Sequence, residues 1–228
     1  MKALVLLLAG ASSVAIAAPP PAASVPAPAP LEAAAPQFAP QSSPAMAAVP
    51  AARLPGFAAE LADMPRIHGP DGWGKVTEQQ ALVSLARSTL KSRQRARWNY
   101  ASSLIARNRY PDAAGVLDVM LQDDPDLALV ANFQLARGIV LAKLDRPGEA
   151  LEALAREQLA GNAEACVWRA QSFAASGAGQ EALREYGCAR SALATRSAKE
   201  RAPFIAMLAN AALDEGRAEF ALRLLNVV

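Results

Sequence analysis

Downstream of Val76 the large apolar residues recur at intervals of three and four, and small residues keep register with them. Four ten-residue segments carry the pattern most plainly: "NRYPDAAGVL" from Asn108, "DRPGEALEAL" from Asp145, "GAGQEALREY" from Gly177 and "GRAEFALRLL" from Gly216. Aligned without gaps, they open with Asn, Asp, Gly and Gly, residue types that accept the left-handed conformation ending a helix. Five residues on, every segment has alanine (Ala113, Ala150, Ala182, Ala221). Four further on stand the large residues Leu117, Leu154, Tyr186 and Leu225. Seven residues before each turn comes another small residue (Ala101, Gly138, Ala170, Ala209), and three beyond it Leu104, Leu141, Phe173 or Ala212. The turns lie 37, 32 and 39 residues apart. This arrangement predicts four helix-turn-helix units. Small residues let two antiparallel helices approach closely, and the large ones fill the groove and the seam to the next unit.

One turn invites a different chemistry. Gly177 and Gly179 have the spacing that opens a dinucleotide-binding loop, but such a loop follows a buried strand and continues to a third glycine. Here the preceding "ACVWRAQSFAAS" is helical in its spacing, and the third place holds Ala182. The motif reads as a helix-helix turn.

Local signals place the helix starts. Asp124 followed by Pro125 predicts an N-cap and first helical position, and Pro111 and Pro147 fall in first turns. Ser197 with Glu200, and Thr77 with Gln80, have capping-box spacing. The second box opens an added helix expected from Glu78 to about Lys91, with Leu82, Leu85, Ala86 and Leu90 on one face as an N-terminal cap over the first unit. No comparable polar helix follows the last unit.

The chain before Val76 is different in kind. "MKALVLLLAGASSVAIA" has one lysine, an apolar run from Ala3 to Leu8 and small residues before Ala18, which fits a secretory signal over residues 1–17. The alternative, an uncleaved anchor, has too short an apolar run to span about 20 residues' worth of bilayer. Eleven of the 37 residues from Pro19 to Pro55 are proline. Proline fixes φ and donates no hydrogen bond, so residues 18–55 are expected to form a disordered, partly polyproline arm: a spacer, a ligand for another protein, or inert. Residues 56–76 read as an irregular linker broken by Pro65, Pro70, Gly69, Gly72 and Gly74, with an exposed-looking Trp73 and the only histidine, His68. Residues 77–228 form the helical portion.

The small pairs Ala101/Ala113, Gly138/Ala150, Ala170/Ala182 and Ala209/Ala221, with their turn residues, resemble the tetratricopeptide repeat, a helix-turn-helix unit with a period near 34 residues. The resemblance runs from about Arg93 to Val228; Pro125 fits the proline that often separates repeats, and the later units lack it. It implies an all-α, tetratricopeptide-like solenoid of about four helix pairs, degenerate or Sel1-like in its sequence. It also implies a binding groove built from the first helix of each pair. Carried onto this chain, the groove presents Trp98, Ser102, Ile105, Asn132, Leu135, Ile139 and Lys143, then Glu164, Val167, Gln171, Asn210 and Asp214. Such a mixed surface suits an extended or helical peptide, or each residue is ordinary surface or seam. Where family members clamp a terminal carboxylate with Lys and Asn, this chain has Trp98, Leu135 and Val167. Exported proteins of this resemblance serve pilus assembly, secretion or cell-wall machinery, so a periplasmic or secreted scaffold or adaptor is implied, with a protein partner.

Composition narrows the chemistry further. Without Lys2 the chain has 22 basic and 21 acidic residues, so net charge points to no partner. Locally, Arg87, Lys91, Arg93, Arg95, Arg97, Arg107 and Arg109 form a run with no acid among them. It reads either as a solvated basic face or as a surface for anionic lipid or an acidic protein patch. Nucleic acid is not expected, since the run lacks interleaved aromatics and the chain is read as exported. One His and two Cys supply neither a zinc set nor a base for the serines, so no enzyme, metal or cofactor is expected. His68 as a catalytic group is the discarded alternative. Cys166 lies early in the first helix of the third pair and Cys188 late in the second, so antiparallel packing levels them. Export favours a disulfide; two buried free thiols are the alternative. The unfinished C-terminal pair raises a further possibility, self-association.

Overall fold

The four expected turns end their helices in one and the same way. Asn108 and Asp145 have φ of 58°, Gly177 75° and Gly216 69°, the left-handed region in which Asn, Asp and Gly are tolerated. The residue after each turn donates its N–H five residues back: Arg109 to Leu104 O, Arg146 to Leu141 O, Ala178 to Phe173 O and Arg217 to Ala212 O, at 2.7–3.0 Å. These are the long bonds of a Schellman C-cap, and their acceptors are the four residues of one repeat column.

The computed structural model describes residues 56–226. The signal expected over residues 1–17 and the arm expected over 18–55 lie outside that range, as do residues 227–228. The described residues contain ten α-helices and no strand: α1 (Ala58–Ala62), α2 (Glu78–Ala86), α3 (Arg93–Ala106), α4 (Tyr110–Asp123), α5 (Ala131–Lys143), α6 (Pro147–Leu154), α7 (Ala163–Ala175), α8 (Gly179–Ala194), α9 (Ala198–Asp214) and α10 (Ala218–Leu225). The class is all-α. Helices α3/α4, α5/α6, α7/α8 and α9/α10 pack as pairs, each pair touches the next, and first helices also meet across pairs: α3 with α5, α5 with α7, α7 with α9.

The small residues mark the close approaches. Ala101, Ala113, Ala150 and Ala182 are wholly buried, and Ala170, Ala209 and Ala221 nearly so. Gly138 shows why this column must stay small. A Cβ placed on it would lie 2.4 Å from Leu154 Cγ, inside contact distance. Leu117 and Leu154 fill the core completely, Tyr186 is partly buried edge-on to Phe220 at 5.9 Å, and Leu225 is half exposed. A disulfide joins Cys166 of α7 to Cys188 of α8 across Cα atoms 5.8 Å apart.

Both capping boxes form, Thr77 with Gln80 on α2 and Ser197 with Glu200 on α9. Three local expectations are corrected. Asp124 does not cap α5: Pro125–Leu129 makes a 3-10 turn, α5 begins at Ala131, and the Asp124 carboxylate turns elsewhere. The added helix stops at Ala86, not near Lys91, because the chain turns at Arg87. Its inner face is Ala81 and Leu85; Leu82, Ala86 and Leu90 face solvent. A narrow alanine edge lets α2 lie closer to α3 than a leucine face would.

Candidate functional site

Residues 56–73 are not a free linker. They form a strap laid against the first helices, and a row of polar side chains holds its main chain. The Asp124 carboxylate, 5% exposed, accepts N–H bonds from Phe57 at 2.5 Å and Ala58 at 3.0 Å, and so caps α1 from 66 residues away. The Asn132 carboxamide, on the first turn of α5, grips an extended stretch twice. Its Oδ1 accepts from the Ile67 N–H and its Nδ2 donates to the Pro65 carbonyl, both at 3.1 Å. Asn162, the N-cap of α7, accepts from the Ala165 N–H with Oδ1 and donates through Nδ2 to the Ile67 carbonyl at 3.0 Å. Successive first helices thus each offer an asparagine to one extended segment. Carboxamides read only the backbone, so this grip is indifferent to the side chains of what it holds.

The strap's side chains add apolar anchors. Phe57 and Leu61 are buried, Met64 and Ile67 pack on the core, and Trp73 is only 8% exposed, its ring 6.2 Å from that of Trp98. Trp73 therefore is not the exposed residue its Pro/Gly-rich surroundings suggest; it covers Trp98. His68 stays exposed. The strap's apolar residues at 57, 61, 64, 67 and 73 are the signal that sets it apart from the alanine-proline arm before it.

The expected groove residues accordingly separate by exposure. Trp98, Ile105, Asn132, Leu135, Ile139 and Val167 are all at most 5% exposed, covered by the strap or sunk between helices, and present no open surface. Ser102 is half-buried beside the strap, at the edge of a small cleft of about 120 Å³ shared with Met64, Ile67, Val76 and Trp98. Gln171, Asn210 and Asp214 lie beyond the strap. With Met207, Ala174 and Glu215 they line an open cleft of about 360 Å³ between α7 and α9.

Glu164 is wholly buried and belongs to the core. Arg196 meets it with both carboxylate oxygens at 2.6 and 2.7 Å, and Trp168 Nε1 donates to it at 2.8 Å. This fixes the α8–α9 connection against α7, where Thr195 lies beside Gly69 of the strap. Lys143 stands nearby among aromatic faces, 5.1 Å from the Trp168 ring centroid, 5.9 Å from Phe204 and 6.0 Å from Tyr110. Its side chain remains partly exposed; partial desolvation against these rings, then the charge of Arg196, lowers its pKa below that of an ordinary lysine. Burial likewise raises the Tyr110 phenol.

The basic run is largely neutralised by residues remote in sequence. Arg95 pairs with Glu60 of α1 at 2.6 Å, Arg97 with Asp123, Arg107 with Glu78 at 3.8 Å, and Arg109 with both Glu78 and Asp112. Arg87, Lys91 and Arg93 form no ion pair among the described residues. Among those residues, too, no helix is long and apolar enough to cross a membrane. Comparison of the chain with protein-family models, with curated proteins and with solved structures finds no match in any of the three.

Proposed function

We propose that this chain is a non-catalytic binding protein, a tetratricopeptide-like solenoid that works as a scaffold or adaptor in the bacterial cell envelope after export. One observation carries the reading: Asn132 and Asn162, at the starts of successive first helices, hold an extended stretch by its main chain, and Asp124, between α4 and α5, caps the short helix that leads into it. A face that grips one extended segment in this way has the donors, acceptors and apolar pockets needed for peptide recognition. The strap uses the part of that face nearest α3 and α5. The α7–α9 cleft, with Gln171, Met207, Asn210 and Asp214, is the part left for a partner polypeptide.

A photo-crosslinking residue at Asn210 or Gln171 tests this in cells. It is expected to trap one discrete partner that the same residue at Arg156, exposed and outside the cleft, does not trap, and an Asp214→Ala/Met207→Ala variant is expected to lose it. Equal trapping from all three positions refutes the reading. A second reading, self-association through the last pair, is favoured by Leu213, Leu222 and Leu225, which are 53%, 63% and 48% exposed. Sedimentation of a Leu222→Glu/Leu225→Glu variant separates the two: loss of an oligomer supports self-association, and a monomer throughout refutes it.

A further inference from the structure

The end of the molecule formed by α2 carries a surface that the peptide-binding face leaves unused. Leu82 and Val83 on α2 are 43% and 44% exposed, and Leu90 in the following turn is 62% exposed. Arg87, Lys91 and Arg93 are interleaved with them, and the stretch from Gln79 to Pro111 contains no acidic residue. The nearby carboxylates are spent elsewhere: Glu78 on Arg107 and Arg109, Glu60 on Arg95, Asp123 on Arg97. What remains is a set of uncompensated cations among exposed aliphatic side chains. Beside them lies an open cleft of about 710 Å³ lined by Thr77, Gln80, Val83, Ser84, Arg87 and Ser88. Its rim offers a guanidinium, hydroxyls and a carboxamide, groups that donate to phosphate oxygens.

We propose that this end docks on an anionic lipid surface, with Arg87, Lys91 and Arg93 at the headgroups, a lipid phosphate in the cleft, and Leu82, Val83 and Leu90 in the acyl boundary. Two features favour a bilayer over a protein patch. Protein interfaces place charge at the rim and deplete it from an apolar centre. Here the exposed aliphatics Leu82, Val83 and Leu90 and the unpaired cations Arg87, Lys91 and Arg93 share one twelve-residue stretch, apolar and basic side chains side by side as in segments that lie in a membrane interface. The stretch also holds cations and no acid, which matches the negative potential of such a surface.

The test is flotation of the purified full chain with vesicles of pure phosphatidylcholine and with vesicles containing about 30% phosphatidylglycerol. The chain is expected to partition onto the anionic vesicles in excess over the neutral ones and to be released when salt is raised from about 0.1 M to about 0.5 M. Each basic residue near such a surface multiplies partitioning about fivefold, so Arg87→Gln/Lys91→Gln is expected to lower it roughly 30-fold. Leu82→Ser/Leu90→Ser is expected to lower it about tenfold by removing buried acyl contact. All four side chains are exposed, and circular dichroism checks that the helices persist. Residues 1–17 are common to every variant, so differences between variants report on α2. Equal partitioning onto both vesicle types overturns the proposal, as does partitioning that neither variant changes. Displacement by glycerol phosphate at constant ionic strength would mark a site for the free phosphate and would also overturn it. So would tighter binding of polyglutamate than of vesicles through the same residues.

Discussion

Replacing Asn132 by alanine isolates what holds the strap. The substitution removes the acceptor of the Ile67 N–H and the donor to the Pro65 carbonyl, two bonds at 3.1 Å, and touches neither the small-residue contacts nor the disulfide. At about 0.5–1.5 kcal/mol net per bond, strap docking weakens by about 1–3 kcal/mol. That corresponds to a 5- to 150-fold rise in strap opening. Native-state hydrogen exchange reads this directly: the Ile67 amide is expected to exchange faster by that factor, with Phe57 and Ala58 following as α1 loosens. Amides in α7 and α8, which the change does not contact, keep their rates, because local openings need not share the free energy of global unfolding. Trypsin gives a second reading, since Arg66 is exposed on the strap and cleavage after it is expected to accelerate in parallel. Two results refute the reasoning. Unchanged exchange at Ile67 would mean the carboxamide does not hold the strap. Uniform acceleration across all ten helices would mean the strap is part of the cooperative core and not a separable layer.

Further consequences are equally direct. Gly138→Ala is expected to destabilise by up to about 2 kcal/mol, the cost of overpacking against Leu154 less the helix propensity gained; a double-mutant cycle with Leu154→Ala should show non-additive coupling, and a net stabilisation would refute the close approach. Glu164→Ala leaves Arg196 buried without its carboxylate, and denaturant unfolding should register a loss of about 3–5 kcal/mol. Reducing the Cys166–Cys188 bridge, which spans 22 residues, should cost about 3 kcal/mol in the chain-entropy account, read as a lower denaturation midpoint under reductant. The side-chain and backbone hydrogen bonds from Ser197 hold the Glu200 carboxyl below its usual range. A depressed carboxylate pKa contributes stability above the unfolded value of about 4.3, and that contribution is lost as pH falls through the folded value. Carbon-detected titration of Glu200 should therefore return to the ordinary range in Ser197→Ala, whose own loss of the cap costs about 1 kcal/mol.

The two anchoring layers of the molecule differ in kind. The helix pairs are held by close contact of small residues, by one covalent bridge and, where the α8–α9 connection meets α7, by the buried Glu164–Arg196 pair. The strap is held by carboxamide and carboxylate bonds to main chain, supplemented by Phe57, Leu61 and Trp73. Ion pairs such as Arg95 with Glu60 add little energy at this exposure. Their consequence is electrostatic bookkeeping of position: they silence four of the seven cations and leave Arg87, Lys91 and Arg93 as the uncompensated ones.

The helical class, the four turns and the small-residue columns are legible in the residues alone, because each depends on positions close together in the chain. Asn108 and Asp145 take positive φ because of their short polar side chains and Gly177 and Gly216 because they lack a Cβ, and Ser197 and Thr77 cap helices through bonds only three residues long. Which surfaces are open depends instead on contacts between distant segments. Nothing in the local sequence marks Asn132, and Asn162 is marked only as a helix cap, since their partners on the strap lie 65 to 95 residues away. Trp98 and Asn132 follow the repeat spacing, yet the strap covers them, a fact no helical period records. The outward face of α2 was illegible for the same reason: with Ala81 and Leu82 adjacent, periodicity allows either edge to face in, and the fit against α3 selects the smaller.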